Sequence, residues 1–109
     1  MIAVEIYRDS AGKICEFRSR KGVFAPEHPL QVSVEALVQT AIIGLEDYLK
    51  LEPGVKEEEG WLQCRLERES FLNREIDAIL ETIVLGLRAL EREYPESLEI
   101  REVGAGVKV

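Results

Sequence analysis

Cysteine and histidine are almost missing from this chain: Cys15, Cys64 and His28 are the only three in 109 residues. The cysteines form no Cys-x-x-Cys pair and neither lies at metal-ligand spacing from the histidine, so a zinc site is not expected. A single imidazole also limits the acid–base chemistry open to the chain. No uninterrupted apolar run approaches the roughly 20 residues of a membrane-spanning helix. The start, Met1 to Glu5, has no charged leader followed by an apolar stretch and cleavage site, so a cytoplasmic protein is expected. Positive charge is scarce as well, with 14 Lys and Arg against 21 Asp and Glu and a net charge of -7. Such a surface does not gather phosphates, which argues against direct nucleic-acid binding and anionic membranes and leaves a basic peptide as a compatible partner. No cofactor is expected.

What is present reads as one globular domain, with 46% hydrophobic and 32% charged residues. Ile2, Val4 and Ile6 alternate with Ala3, Glu5 and Tyr7, the period of a strand with one buried face. Asp9 to Gly12 carries turn chemistry, so a second strand from Lys13 to Ser19 returns as a hairpin, with Cys15 and Phe17 on the face opposite Glu16 and Arg18. Gly22, Pro26 and Pro29 mark a loop, and Pro29 suits the first turn of a helix. Leu30, Val34, Leu37, Ala41, Leu45 and Tyr48 recur at helical spacing, widened by Val38, Ile42 and Leu49, which predicts a deeply buried helix. A strand from Val55, a tight turn at Gly60 and a longer strand from Trp61 follow, with Leu62, Cys64 and Leu66 inward. Ser70 is a candidate N-cap for a second long helix carrying Leu72, Ile76, Leu80, Leu87 and Tyr94, ended by Pro95. Ser97 to Val103 alternates again. The expected fold is α+β, in the order β-β-α-β-β-α-β, with two long helices on a mixed twisted sheet; residues 1–103 form the domain and 104–109 a flexible tail.

Three stretches carry a resemblance to a known family. Ser19-Arg20-Lys21-Gly22-Val23-Phe24-Ala25 follows the first hairpin; Ala36-Leu37-Val38-Gln39-Thr40-Ala41-Ile42-Ile43-Gly44-Leu45-Glu46 lies in the first helix; Ile83 to Pro95 ends the second. Together they resemble the ribosomal-processing cysteine proteases, the Prp family, over nearly the whole chain. The family pattern is Ser-Gly-His-Ala-Gly-Tyr-Ala in the first stretch and Ala-Leu-x-Gln-Thr-x-x-x-Gly-Leu-Glu in the second. The resemblance implies a homodimer and a cysteine endopeptidase that trims the N-terminal extension of a large-subunit ribosomal protein. It uses a histidine in the loop after strand two and a cysteine just inside helix one, where the helix N-terminus stabilises a thiolate and the imidazole moves the proton.

Carried over residue by residue, that dyad is lost. Lys21 falls on the histidine and Gln31 on the cysteine, the latter anchored by Ala36 to Glu46 without a gap. His28 replaces an aspartate three residues before the cysteine, Glu35 replaces a serine four residues after it, and Val23 replaces a small residue. A glutamine amide is not a nucleophile, and an ordinary lysine is protonated at neutral pH. The expectation is therefore a proteolytically inactive, peptide-binding or regulatory homologue. Lys21, Phe24, His28, Gln31 and Glu35 are its candidate binding residues, and a basic peptide or ribosomal-protein N-terminal tail its candidate ligand.

The alternative is a hydrolase with changed chemistry using His28, Lys21 or Glu35, which requires two of these groups to converge in a concave pocket. Ser33 and His28 are the corresponding hydroxyl and base, although no acid is placed to orient the ring. Two readings stay open for Lys21 and Glu35, an ion pair across the old cleft or two solvated charges. The basic cluster Arg18, Arg20, Lys21 is read as solvated surface over an anion site, the run Glu57 to Glu59 as a solvated hairpin tip, and Trp61 as a core-edge anchor. Cys15 and Cys64 are expected in the core.

Overall fold

A computed structural model describes residues 1–22, 28–68 and 72–104. The order is β1 (Ile2–Arg8), β2 (Ile14–Arg20), α1 (Pro29–Ile43) running into a π-turn (Gly44–Tyr48), β3 (Gly54–Glu58), β4 (Trp61–Arg65), α2 (Asn73–Glu93) and β5 (Leu98–Val103). The expected α+β architecture is present. The five strands form one sheet in the order β3-β4-β2-β1-β5, antiparallel except for the parallel β1/β5 pair, whose β5 is reached from β4 through α2. β3 and β4 have five residues each, so the second is not the longer. Phe24, Ser70 and the tail beyond Gly104 lie outside the described residues; α2 is capped by Leu72, which makes no side-chain cap bond.

The first hairpin closes as its sequence dictates. The Asp9 carboxylate accepts from the Ala11 and Lys13 amides, and Gly12 adopts the positive φ of 80° that the turn needs. Beyond it the ladder slips by one residue, Tyr7 facing Glu16 but Arg8 facing Ile14. Cys15 is the extra residue of this bulge. It is half-buried with its thiol directed to the Tyr7 carbonyl, 3.5 Å away, while Ile14 takes the core place, which corrects the expected pairing of Cys15 with Phe17. Burial raises the Cys15 thiol and pushes that of fully buried Cys64 up to about 12, so neither is a reactive thiolate.

The core lies between the helices and one sheet face, where Ile2, Val4, Ile6, Phe17, Cys64, Leu98 and Ile100 meet Val34, Val38, Leu45, Ile76, Leu80 and Leu87. The helices cross closely at two glycines. A Cβ on Gly44 would lie 3.4 Å from Ile79, and one on Gly86 3.4 Å from Leu37. After Ile43 the helix widens by a residue, the Leu49 amide donating to the Gly44 carbonyl. This rotation keeps Leu45 buried but leaves Tyr48 80% exposed, against the helical stripe read from the sequence, which assumed an unbroken period.

Between α2 and the sheet run ion pairs rather than more apolar packing. Arg8 forks onto Glu81 at 2.6 and 3.0 Å and reaches Glu102 at 2.7 Å, and Arg88 holds Glu91 and the same Glu102. Hydrogen bonds from Arg8 and Arg88 hold the Glu102 carboxyl below the ordinary carboxylate range.

Candidate functional site

Helix α1 begins in a way its sequence explains. Pro29 sets the φ of the first turn, and the His28 ring caps it, the Leu30 amide donating to Nδ1 at 3.2 Å. His28 thus does local structural work, and its Nδ1 is engaged in it.

Gln31, which the resemblance puts at the position of the nucleophile, is only 3% exposed. Its amide is wired at both ends, Oε1 accepting from the Gly22 amide at 3.1 Å and Nε2 donating to Glu35 Oε1 at 3.2 Å. The Lys21 ammonium meets that same Glu35 oxygen at 3.7 Å. The residues at the cysteine, histidine and serine positions of the resemblance are therefore neighbours, joined by one hydrogen bond and a loose ion pair. Of the two readings of Lys21 and Glu35, the pair is the one observed. The Lys21 side chain is 71% exposed.

Beside this cluster opens a cleft of about 440 Å³. Sheet register explains it. Val4 pairs with Ser19, Ser19 with Leu62 and Leu62 with Glu57, so these residues form one row across the helix-covered face. The row starts in the core at Val4 and runs out from under the helices, where Ser19, Leu62 and Glu57 line the cleft opposite Glu35, Val38 and Gln39 of α1. Glu59 and Gly60, both at positive φ, make the two-residue turn that closes the far wall. Glu57 to Glu59 are exposed as expected, yet they also border the cleft, a role missed in the sequence; counting back across the Glu59-Gly60 turn puts Glu57 opposite Leu62 and supplies the signal.

The other basic residues are engaged on the opposite face. Arg18 binds Glu16 at 2.6 Å and lies over the Tyr7 ring; Arg20 lies over Trp61, 5.8 Å from the ring centroid. Trp61 pairs with Arg20 and Glu58 on that outer face and is not a core anchor. Burial alone would raise the Glu16 carboxyl, but hydrogen bonds from Arg18, Gln63 and Arg65 outweigh it and hold the group low. Among the described residues no cluster of three His, Cys, Asp or Glu side chains fits a metal ion, and no helix is long and apolar enough to cross a membrane.

No protein-family model and no curated protein matches the sequence. Solved structures do match. The ribosomal processing protease Prp from S. aureus, in complex with a substrate peptide, superposes with a TM-score of 0.79 at 20% identity, covering 94% of this chain and 99% of that one. A protein from Streptococcus mutans gives 0.79 at 16% identity, with 95% of each chain covered. A hypothetical protein from Staphylococcus aureus gives 0.71 at 20% identity over 95% of this chain and 99% of that one. The chain has the fold of the Prp protease.

Proposed function

We propose that this chain is a non-proteolytic relative of the ribosomal-processing cysteine proteases that binds a peptide in the cleft between α1 and the β3–β4 hairpin. The observation that carries the reading is Gln31. At the position that the resemblance gives to the nucleophile stands a buried amide, hydrogen-bonded to Gly22 and Glu35, whose nitrogen lone pair is delocalised into its own carbonyl and does not attack a peptide bond. The peptide-bound S. aureus relative of the same fold supports the cleft as a peptide groove. The ligand is a basic peptide such as a ribosomal-protein N-terminal tail, held in the cytoplasm by a regulatory homologue that does not cut it. Loss of the cutting atoms with retention of the fold turns a substrate groove into a binding groove.

The same reading includes a homodimer. The outward faces of the helices carry Val32, Ala36 and Ile43 on α1 and Leu85 and Ala89 on α2, with Leu85 70% exposed, an apolar surface that a second copy would cover. Sedimentation of wild-type and Leu85→Asp protein tests it; a wild-type monomer removes the dimer.

The decisive experiment incubates the purified protein with a precursor of the large-subunit ribosomal protein carrying its N-terminal extension. Binding without cleavage is expected. Specific cleavage that Gln31→Ala or Lys21→Ala abolishes would replace this reading by the hydrolase of changed chemistry.

A further inference from the structure

Resting on the peptide-binding reading, we infer that the cleft selects a lysine or arginine side chain of its ligand, and that Lys21 occupies that cation position when no ligand is bound. Charge at the cleft is one-sided. Glu35 stands on α1, Glu57 faces it from the hairpin and Glu59 sits at the turn, while Lys21 is the one cation among the described residues that line the space. Glu58 is already matched on the outer face by Lys56 at 3.2 Å. An extended ligand without positive charge would leave these carboxylates facing one another with a single ammonium between them.

The carboxylate that matters most is preset. Gln31, buried and fixed to the Gly22 amide, donates to Glu35 Oε1 and so orients Glu35 before any ligand arrives. Gln31 is in this sense a positioning residue, aiming a charge where the fold family aims a thiol. Lys21 shows that an ammonium fits against Glu35, and it is held loosely: 3.7 Å, one contact, a largely solvated side chain. Such an exposed pair has little strength, so an incoming cation displaces it cheaply. Val38 and Leu62, in the lining between the two acidic walls, offer apolar contact to the alkyl stem behind the incoming charge.

The roles of Lys21 and Glu35 are thereby opposite in sign, which a merely structural ion pair would not produce. The probes are a fluorescein-labelled extended peptide of glycine, serine, leucine and lysine, and the same peptide with glutamine for lysine, read by anisotropy at low salt. The lysine peptide is expected to bind about tenfold tighter than the glutamine peptide, with the difference shrinking in high salt. Glu35→Gln and Glu57→Gln each weaken the lysine peptide about threefold, and Lys21→Gln tightens it about threefold without changing the glutamine peptide. Circular dichroism melting confirms that each exposed variant is folded. Equal affinity for both peptides, or weaker lysine-peptide binding in Lys21→Gln, overturns cation selection while leaving a peptide groove intact. Binding of neither peptide overturns both.

Discussion

Strands β1 and β5 lie under the helices with Ile2, Val4, Ile6, Leu98 and Ile100 all at 6% exposure or less, whereas every residue of β3 is exposed. Both ends belong to one hydrogen-bonded sheet, but only the covered end is tied to the helices by apolar packing and by the Arg8, Arg88, Glu102 network. The uncovered end owes its geometry to the backbone ladder and a two-residue turn, so its side chains are free to vary without loss of the core. Core packing and cleft lining are thus divided along the sheet, and residues of the cleft can change with the interior unchanged.

The division is sharpest for an apolar deletion. Leu87→Ala, in the core against the sheet, should cost about 2–5 kcal/mol, and Val55→Ala on β3 under about 0.5 kcal/mol, in urea unfolding. Equal losses would break the comparison. Next in size, Arg8→Met leaves Glu81 and Glu102 without their shared cation and should cost about 1–3 kcal/mol, while Lys56→Met on the overhang changes stability by less than about 0.5 kcal/mol.

Acid should find the covered end first. Glu102 has a folded pKa below that of the unfolded chain, so its contribution is complete above the ordinary carboxylate value of about 4.3 and is lost as pH falls through the folded value. Asp77, which burial would raise, is held low by Lys13 and Arg68 and behaves alike. Melting temperatures measured from neutral pH downward should fall below about pH 4, and Glu102→Gln should flatten that limb. Smallest of all, Glu57→Gln should leave the melting temperature within about 1 °C, since its exposed carboxylate lines the cleft and not the core.

Much of this was legible in the residues. Alternation in β1 and β5, the Asp9 to Gly12 turn and Pro29 at the helix start are local signals, and each was realised where the sequence placed it. Departures came where a neighbouring element decides: Cys15 is displaced by a slip against β1, Trp61 faces outward because its hairpin register does, and Tyr48 follows a widened turn. The residues that the resemblance puts at the dyad positions can be named from the sequence, but their wiring cannot. Gln31 joining Gly22 to Glu35 depends on Gly22, two residues past β2, lying against the first turn of α1, a contact between positions nine residues apart that no periodicity encodes.

The turn at Gly44–Tyr48 holds one residue more than an ordinary helix requires. Shortening the chain by one residue, for example by deleting Glu46, offers the backbone a continuous α-helix in its place. The choice between the two is a matter of phase. With the extra residue Leu45 is inside and Leu49 and Leu51 pack on the core; without it every later side chain turns by about 100° relative to Leu45. The loop leading to β3 would then leave the helix in another direction, and the hairpin that walls the groove would have to be reached from there. A single codon in the helix is in this way a setting for the width of a cleft whose walls it never touches.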